Sequence, residues 1–595
     1  MPGRELEFRK QIFRGVVVLL FMLLAGDLFW MTVPRSRYYR GLALENRQVR
    51  FRVRAPRGRV LDRRGVLLAD NTFIADITLS AREYAAGRCD STVARLCSWF
   101  GLEEDAVQAR LDAQQERGAG RLTLVANADL AGVVLVEERR RELPGVRVET
   151  RPRRRYVQGP LFAHLIGYVG QIRDEEIGSG NGDLDYRSGD MIGRQGIERA
   201  FEAPLRGRCG IKLEEVNAAG HRVGRSPVWL EEVVPGRDIR LTLDLQLQQA
   251  LAEAIGPRVA CGVAISCRTG EILAAYSNPT FDPNLLTVPI SQADWQLLID
   301  DPRKPFFNRV LQATYPPASL YKPIVSLAAL GAGVVGRDTE LEPCLGGWQL
   351  GNRYFRCWKS SGHGRIDHLD ALVHSCDTYF YQLALKLDID TLAKAARAFG
   401  LGAVRSGIFS EEVPGLVPDR KWYDEHFGPG RWSRGVVLNN AIGQGELLVT
   451  PLQMAIVAGR LAVGEGLPTP TFVAGQQRTD PLPPLGFSAL DLAWERKALR
   501  EVVVRGTGQN AALPDIPVAG KTGTAQNPHG EDHAWFMCFA PADAPEVALA
   551  VIVENAGHGG SEAAPVARQW LEAYFHGSAR ESTLEPLKPT GEVFP

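Results

Sequence analysis

The sequence predicts an α/β protein: an antiparallel sheet covered by helices with an inserted helical subdomain, an elongated α+β N-terminal region, and one membrane-spanning helix. Three observations predict it. An apolar run near the N-terminus is long enough to cross a bilayer. Strand-like segments stand at both ends of the C-terminal half, with helical stretches between them. Between these lies an Arg-rich region with short apolar runs, and 595 residues are too many for one core.

The membrane element comes first. "MPGRELEFRKQIFR" carries Arg4, Arg9, Lys10 and Arg14, and 19 mostly apolar residues follow, from Gly15 to Val33. Basic residues on that flank place the N-terminus in the cytoplasm and everything after Pro34 outside it. The run lacks a small-x-small cleavage site followed by a polar stretch, which favours an uncleaved anchor over a signal peptide. Asp27 interrupts it. An ionised carboxylate at the bilayer centre costs roughly 2.5–3.5 kcal/mol, so Asp27 either reaches water at the outer interface or pairs with a polar group on a partner membrane protein.

The expected division is a cytoplasmic tail at 1–14, an anchor at 15–33, a non-catalytic pedestal at 34–235, a catalytic domain at 236–576 and a disordered tail at 577–595. In the pedestal, "APRGRVLDRRGVLLADN" (55–71) alternates turns with strand-like pieces, and "TRPRRRYVQG" (150–159) reads as a solvated basic face. "GIERAFEAPL" has helical spacing closed by Gly207. A strand passing into an amphipathic helix, "RDIRLTLDLQLQQALAEAI" (237–255), opens the next unit. Two short strands around a "TG" turn follow at 261–277, and helices dominate from about 319 to 400. Strand signals return at 516–526, 534–541 and 546–555 before a last helix at 565–575.

The 69 basic and 69 acidic residues cancel, which argues against nucleic acid as the main partner. Nine cysteines cannot all pair within one chain.

Three short motifs carry the chemistry. "YPPASLYKP" (315–323) holds Ser319 and Lys322, which share a helix face. A serine hydroxyl is a weak nucleophile until a base takes its proton, and a lysine is that base when burial or nearby cations disfavour its ammonium form. "SCD" supplies Ser375 and Asp377, and "KTGT" supplies Lys521, Thr522, Gly523 and Thr524. On a strand, Thr522 and Thr524 share one face, Gly523 admits a substrate backbone, and Lys521 suits a carboxylate. The order of the three, with 56 and 146 residues between their first members, is far more specific than any one of them.

Here the chain resembles the penicillin-binding proteins. The likeness runs through "RGRVLDRRG", "GRQGIERAFEAPLRG", "YPPASLYKP", "NNAIGQGELLVTPLQMA" (439–455), "AGKTGTAQ" and "HAWFMCFAP". One anchor, a pedestal and no glycosyltransferase motifs look like the class B, monofunctional type. Acid in the third position of Ser-x-Asp, where most of the superfamily has Asn, looks like the elongation-type D,D-transpeptidase of rod-shaped bacteria.

The resemblance implies the penicillin-binding-protein transpeptidase fold and a membrane protein whose catalytic domain is periplasmic, held in the bacterial inner membrane. Lys322 would deprotonate Ser319, which attacks the carbonyl between the terminal D-alanines of a peptidoglycan stem peptide. Ser375, with Lys521, would protonate the departing D-alanine, and Thr522 and Thr524 would bind its carboxylate. Beta-lactams would be trapped at Ser319. It also implies a polytopic glycosyltransferase and a periplasmic scaffold as partners. A D,D-carboxypeptidase, a beta-lactamase or a non-catalytic beta-lactam sensor or scaffold are the rival readings.

Around the second motif lie Cys344, Cys357, His363 and Cys376, four soft ligands in 33 residues. Three thiolates and an imidazole are the composition of a closed structural zinc site, with His368 and His374 as spare ligands. Because the catalytic family needs no metal, zinc here would be structural, pinning the loop of Ser375 and Asp377. A disulfide and buried apolar thiols are the alternatives, and Cys89 with Cys97 is a further candidate pair.

Overall fold

The computed structural model describes residues 2–39, 48–87, 89–116, 121–177, 186–187, 189–215, 228–288, 290–476, 480–577 and 580. The expected C-terminal tail lies almost wholly outside them. By contacts the chain forms two units. One takes Met1–Pro56, Thr72–Arg153 and Gly207–Gly236; the other takes Arg57–Asn71, Arg154–Arg206 and Arg237–Pro595.

The first unit opens with the helix Pro2–Thr32, of which Glu7–Thr32 is long and apolar enough to cross a membrane. Its apolar side chains face outward all round, as a lipid-facing helix requires. The same unit holds a three-stranded antiparallel sheet of Gln48–Val53, Gly210–Glu215 and Val228–Glu231. Its small core sets Ile77 and Leu79 against Val93, Leu96 and Leu111. Cys89 and Cys97 sit in that core as separate thiols.

The second unit is built on five antiparallel strands: β1 (Ala260–Ser266), β2 (Ile272–Asn278), β3 (Ala519–Ala525), β4 (His533–Ala540) and β5 (Val547–Val553). They lie in the order β2-β1-β5-β4-β3, so β3 is an edge. Period-two alternation divides the faces. Leu549 and Val551 join Phe536 and Cys538 in one core, whereas Ala548, Ala550 and Ile552 join Trp535 and Met537 in the other.

The helices that cover the sheet or carry the site are α1 (Leu245–Ile255), α2 (Lys322–Gly331), α3 (His368–Val373), α4 (Asp377–Lys386), α5 (Pro451–Val463), α6 (Ala489–Arg505) and α7 (Ala563–His576). Helices α1 and α7 cover the first face with Leu251, Trp570 and Leu571. Helix α5 covers the second, where the inserted helices gather around Ile324, Phe380 and Met454. The chain enters this unit early: Val60–Leu61 pairs in parallel with Ile239–Arg240.

One basic residue departs from the sequence reading. Arg154, inside the stretch taken as a solvated face, is buried and bonds Glu198 Oε1 at 2.6 Å, while Arg57 holds Glu198 Oε2 at 2.8 Å. A buried carboxylate gripped by two guanidiniums orients both.

Candidate active site

The turn Ala318–Tyr321 carries Ser319 and runs directly into α2. Pro317 and Pro323 bracket it, and their fixed φ suits a helix entrance. Ala318 takes a positive φ of 51°, a strained value for a residue with a side chain. A loop residue, Gly443, holds it there. Ala318 N donates to Gly443 O at 2.8 Å, and a Cβ on Gly443 would lie 2.1 Å from Ala318 O.

Lys322 begins α2 and is fully buried. Its Nζ donates to Asp377 Oδ1 at 2.7 Å, Ser375 O at 2.8 Å and Ser375 Oγ at 3.2 Å. Among the described residues no hydrogen bond runs from Lys322 to Ser319; the amine is drawn toward the second motif. Ser375 has φ 55°, which turns the chain between α3 and α4. Asp377 opens α4, where the helix dipole favours a carboxylate. Its Oδ2 accepts from Trp358 N at 2.9 Å, and Trp358 Nε1 donates to the carbonyls of His374 and Ser375 at 3.1 Å each.

The third motif lies on the edge strand β3. Lys521 pairs with Met537 and Gly523 with Trp535, so both point toward the inserted helices. A Cβ on Gly523 would meet Leu320 Cδ1 at 2.6 Å and Pro317 O at 3.3 Å. Glycine is thus needed where the strand passes over the Ser319 turn, apart from any substrate. Thr522 Oγ1 lies 2.6 Å from Thr507 Oγ1, and Thr524 Oγ1 lies 3.5 Å from His558 Nδ1. Gln444 Nε2 donates to Thr524 O at 3.0 Å. Burial and the nearby Lys322 charge hold the Lys521 ammonium well below its ordinary range.

The structure therefore brings Ser319, Lys322, Ser375, Asp377, Lys521, Thr522, Gly523 and Thr524 to one edge of the sheet. Sequence reasoning missed Trp358, Gly443 and Gln444. The last two fall in a stretch already singled out, "NNAIGQGELLVT".

Next to this edge the donor atoms of Cys344, Cys357, His363 and Cys376 all lie within 4.8 Å of one another. Cys344 is fixed by a backbone bridge to Gly364, and the hairpin of Gly347–Leu350 and Arg353–Arg356 separates it from Cys357. Cys357 Sγ lies 3.6 Å from His363 Nδ1, and Cys376 is the residue before α4. Cys344, Cys357 and Cys376 are unbridged in the structure. His368 and His374 stand outside the group: His368 Nδ1 lies 3.3 Å from Gly336 O and its ring stacks on Tyr379.

Comparison with known proteins matches residues 260–572 to the penicillin-binding protein transpeptidase domain and residues 52–241 to the penicillin-binding protein dimerisation domain. The peptidoglycan D,D-transpeptidase MrdA of Acinetobacter baumannii is 33% identical over 607 residues, covering 96% of this chain and 89% of that protein. Penicillin-binding protein PBP2 of Helicobacter pylori, solved in complex with MreC, superposes with a TM-score of 0.78 at 27% identity, covering 89% of this chain and 99% of that one. PBP2 of Pseudomonas aeruginosa, solved in complex with WCK 5153, gives 0.69 at 30% identity, covering 90% and 100%.

Proposed function

From a chain that belongs to the class B penicillin-binding proteins, the elongation-type peptidoglycan D,D-transpeptidases, we propose that cross-linking proceeds through an acyl-enzyme on Ser319. The observation that carries this is the buried Lys322 amine, held between Ser375 Oγ and Asp377 one helical turn from Ser319. Lys322 takes the Ser319 proton as the oxygen attacks the carbonyl between the two terminal D-alanines. The C–N bond breaks, and Ser375, 3.2 Å from Lys322, hands that proton to the departing nitrogen. Backbone N–H groups of Ser319 and Thr524 hold the oxyanion, donors worth about 2.7–4 kcal/mol each in such sites. Thr522 and Thr524 receive the terminal carboxylate, with Lys521 behind them. An amine of a neighbouring stem peptide then attacks the ester, forming the cross-link and freeing Ser319. A beta-lactam stops at the ester because its opened ring stays in place.

The helix Pro2–Thr32 anchors the chain in the inner membrane, N-terminus inside and catalytic unit in the periplasm. Basic residues before the span support that orientation. A periplasmic scaffold on the pedestal is supported by the MreC complex of the Helicobacter relative. Asp27 within the span offers a polar contact for a polytopic glycosyltransferase.

Cys344, Cys357, His363 and Cys376 hold a structural zinc ion. The donor set fits: three buried or nearly buried thiols and an imidazole lie within 4.8 Å, and tetrahedral zinc asks for ligand separations of about 3.5–3.8 Å. Zinc supplies no chemistry to the reaction; Cys376 couples the ligand cage to Ser375 and Asp377 on either side of it.

The test is labelling with a fluorescent penicillin followed by mass mapping of the adduct. Label is expected on the Ser319 peptide and is lost in Ser319→Ala; persistent labelling of that variant overturns the reading.

A further inference from the structure

Glu495 stands on α6 where that helix packs against both α2 and β3. Its neighbours on the inward face, Leu492, Ala498, Leu499 and Val502, are apolar, so helical periodicity turns a carboxyl into the core. Its relative exposure is 0%. Oε2 accepts a hydrogen bond from Ser326 Oγ at 2.7 Å, and Oε1 has no partner among the described residues. Ser326 is buried as well, one turn along α2 from Lys322.

A carboxyl sunk in an apolar core with one bare oxygen is unfavourable on packing grounds alone. What answers it lies on β3. The Lys521 ammonium is fully buried, and among the described residues its Nζ donates only to Thr522 O, at 3.2 Å. Lys322, the other buried amine, has Asp377 in contact at 2.7 Å. Among the described residues Lys521 has no carboxylate in contact, yet it and Glu495 act on one another electrostatically. The buried groups thus form two amines and two acids, with Glu495 as the second acid.

We propose that Glu495 is a positioning residue for Lys521: its carboxyl, held by the Ser326 hydroxyl, is the second counter-charge, after Asp377, that helps Lys521 keep its proton while Ser319 is acylated. This rests on Ser319 as the nucleophile. Burial pushes the Glu495 carboxyl up to about 8, against the Ser326 bond and the Lys521 charge. Burial and then Lys322 push Lys521 down, against Asp377 and Glu495. The other charged groups on elements packed against α6 are Lys322 on α2, Arg460 on α5 with its partner Glu465, and His368 and Asp370 on α3, the last paired with Arg505. The charge that acts on Glu495 is that of Lys521 rather than any of these.

The experiment is the second-order rate of Ser319 acylation by a penicillin across pH 6 to 10, in full-length protein, for wild type, Glu495→Gln, Glu495→Asp and Ser326→Ala. At pH 7, where the Gln amide mimics a protonated acid, Glu495→Gln is expected within about twofold of wild type. On the alkaline side it loses the counter-charge, and its limb moves to lower pH by about one unit, a ~10-fold loss there. Glu495→Asp, still ionisable, recovers part of that limb. Ser326→Ala removes a bond that favours the ionised carboxyl, so its limb moves the same way by less. A Glu495→Gln curve that overlays wild type, or lies below it by one factor at every pH, overturns the proposal. Should Glu495→Gln not fold, the Glu495→Asp and Ser326→Ala curves decide: a limb that stays at its wild-type position in both overturns it. The nucleophile reading stands or falls separately, on labelling of Ser319→Ala.

Discussion

The Asp377 carboxylate receives two donors at once: Lys322 Nζ on Oδ1 at 2.7 Å and the Trp358 backbone N–H on Oδ2 at 2.9 Å. Each oxygen is committed, one to the catalytic helix and one to the segment that follows the Arg353–Arg356 strand. An asparagine offers a single acceptor there, so one donor would face an NH2 group. Asp377→Asn is expected to slow penicillin acylation by about 10–100-fold, the worth of one charge-assisted hydrogen bond of ~1.5–3 kcal/mol. Stopped-flow labelling measures it. A wild-type rate would show that the second oxygen is dispensable.

Gly443 combines φ 69° with a Cβ position 2.1 Å from Ala318 O. Gly443→Ala must therefore displace the turn that presents Ser319. Acylation is expected to fall at least ~100-fold while far-ultraviolet circular dichroism stays native, since the strain is local. Gly333→Ala is the control. It shares a positive φ of 67° but meets nothing within 4 Å, so it should cost about 1 kcal/mol of stability and leave the rate alone.

The three motifs were legible because each is a few residues long; "KTGT" sits on one strand, and the other two each stand where a turn enters a helix. The four zinc-ligand candidates were legible for a similar reason: they fall within 33 residues and one loop system. What the sequence hid are partnerships between distant segments. Spacing pairs Lys322 with Ser319, whereas the folded amine turns to Ser375 and Asp377, 53 and 55 residues away. Glu495 and Arg154 look like surface charges in a one-dimensional reading, and only packing shows them buried against Ser326 and Glu198. Gly443 gives no local signal of its grip on Ala318.

Zinc analysis of protein purified without chelators should give about one ion per chain. Cys357→Ser is expected to lower the melting temperature and to slow acylation, because the cage adjoins the loop of Ser375 and Asp377. Its acylation defect should exceed that of Cys538→Ser, a buried strand thiol outside the cage. Metal content well below one ion per chain, with all nine thiols titratable after unfolding, would count against the metal.

His164 provides a pH test of the second unit away from the catalytic groups. It is 4% exposed, its Nε2 lies 2.8 Å from Pro305 O, and its ring stands edge-on to Phe281. Burial drives its pKa from 6.5 down to about 4. Between those values the unfolded chain binds a proton that the folded chain refuses, so acidification favours unfolding. Stability should fall as pH drops from 6.5 toward 4, by up to about 3 kcal/mol from this residue. His164→Gln keeps an N–H for Pro305 O without titrating, so its urea midpoint should start lower at pH 7.5 and decline less on the way to pH 5. His368, also pushed to about 4 by burial, contributes to both proteins and cancels in the difference. Parallel declines in the two proteins would mean that His164 takes up its proton without unfolding.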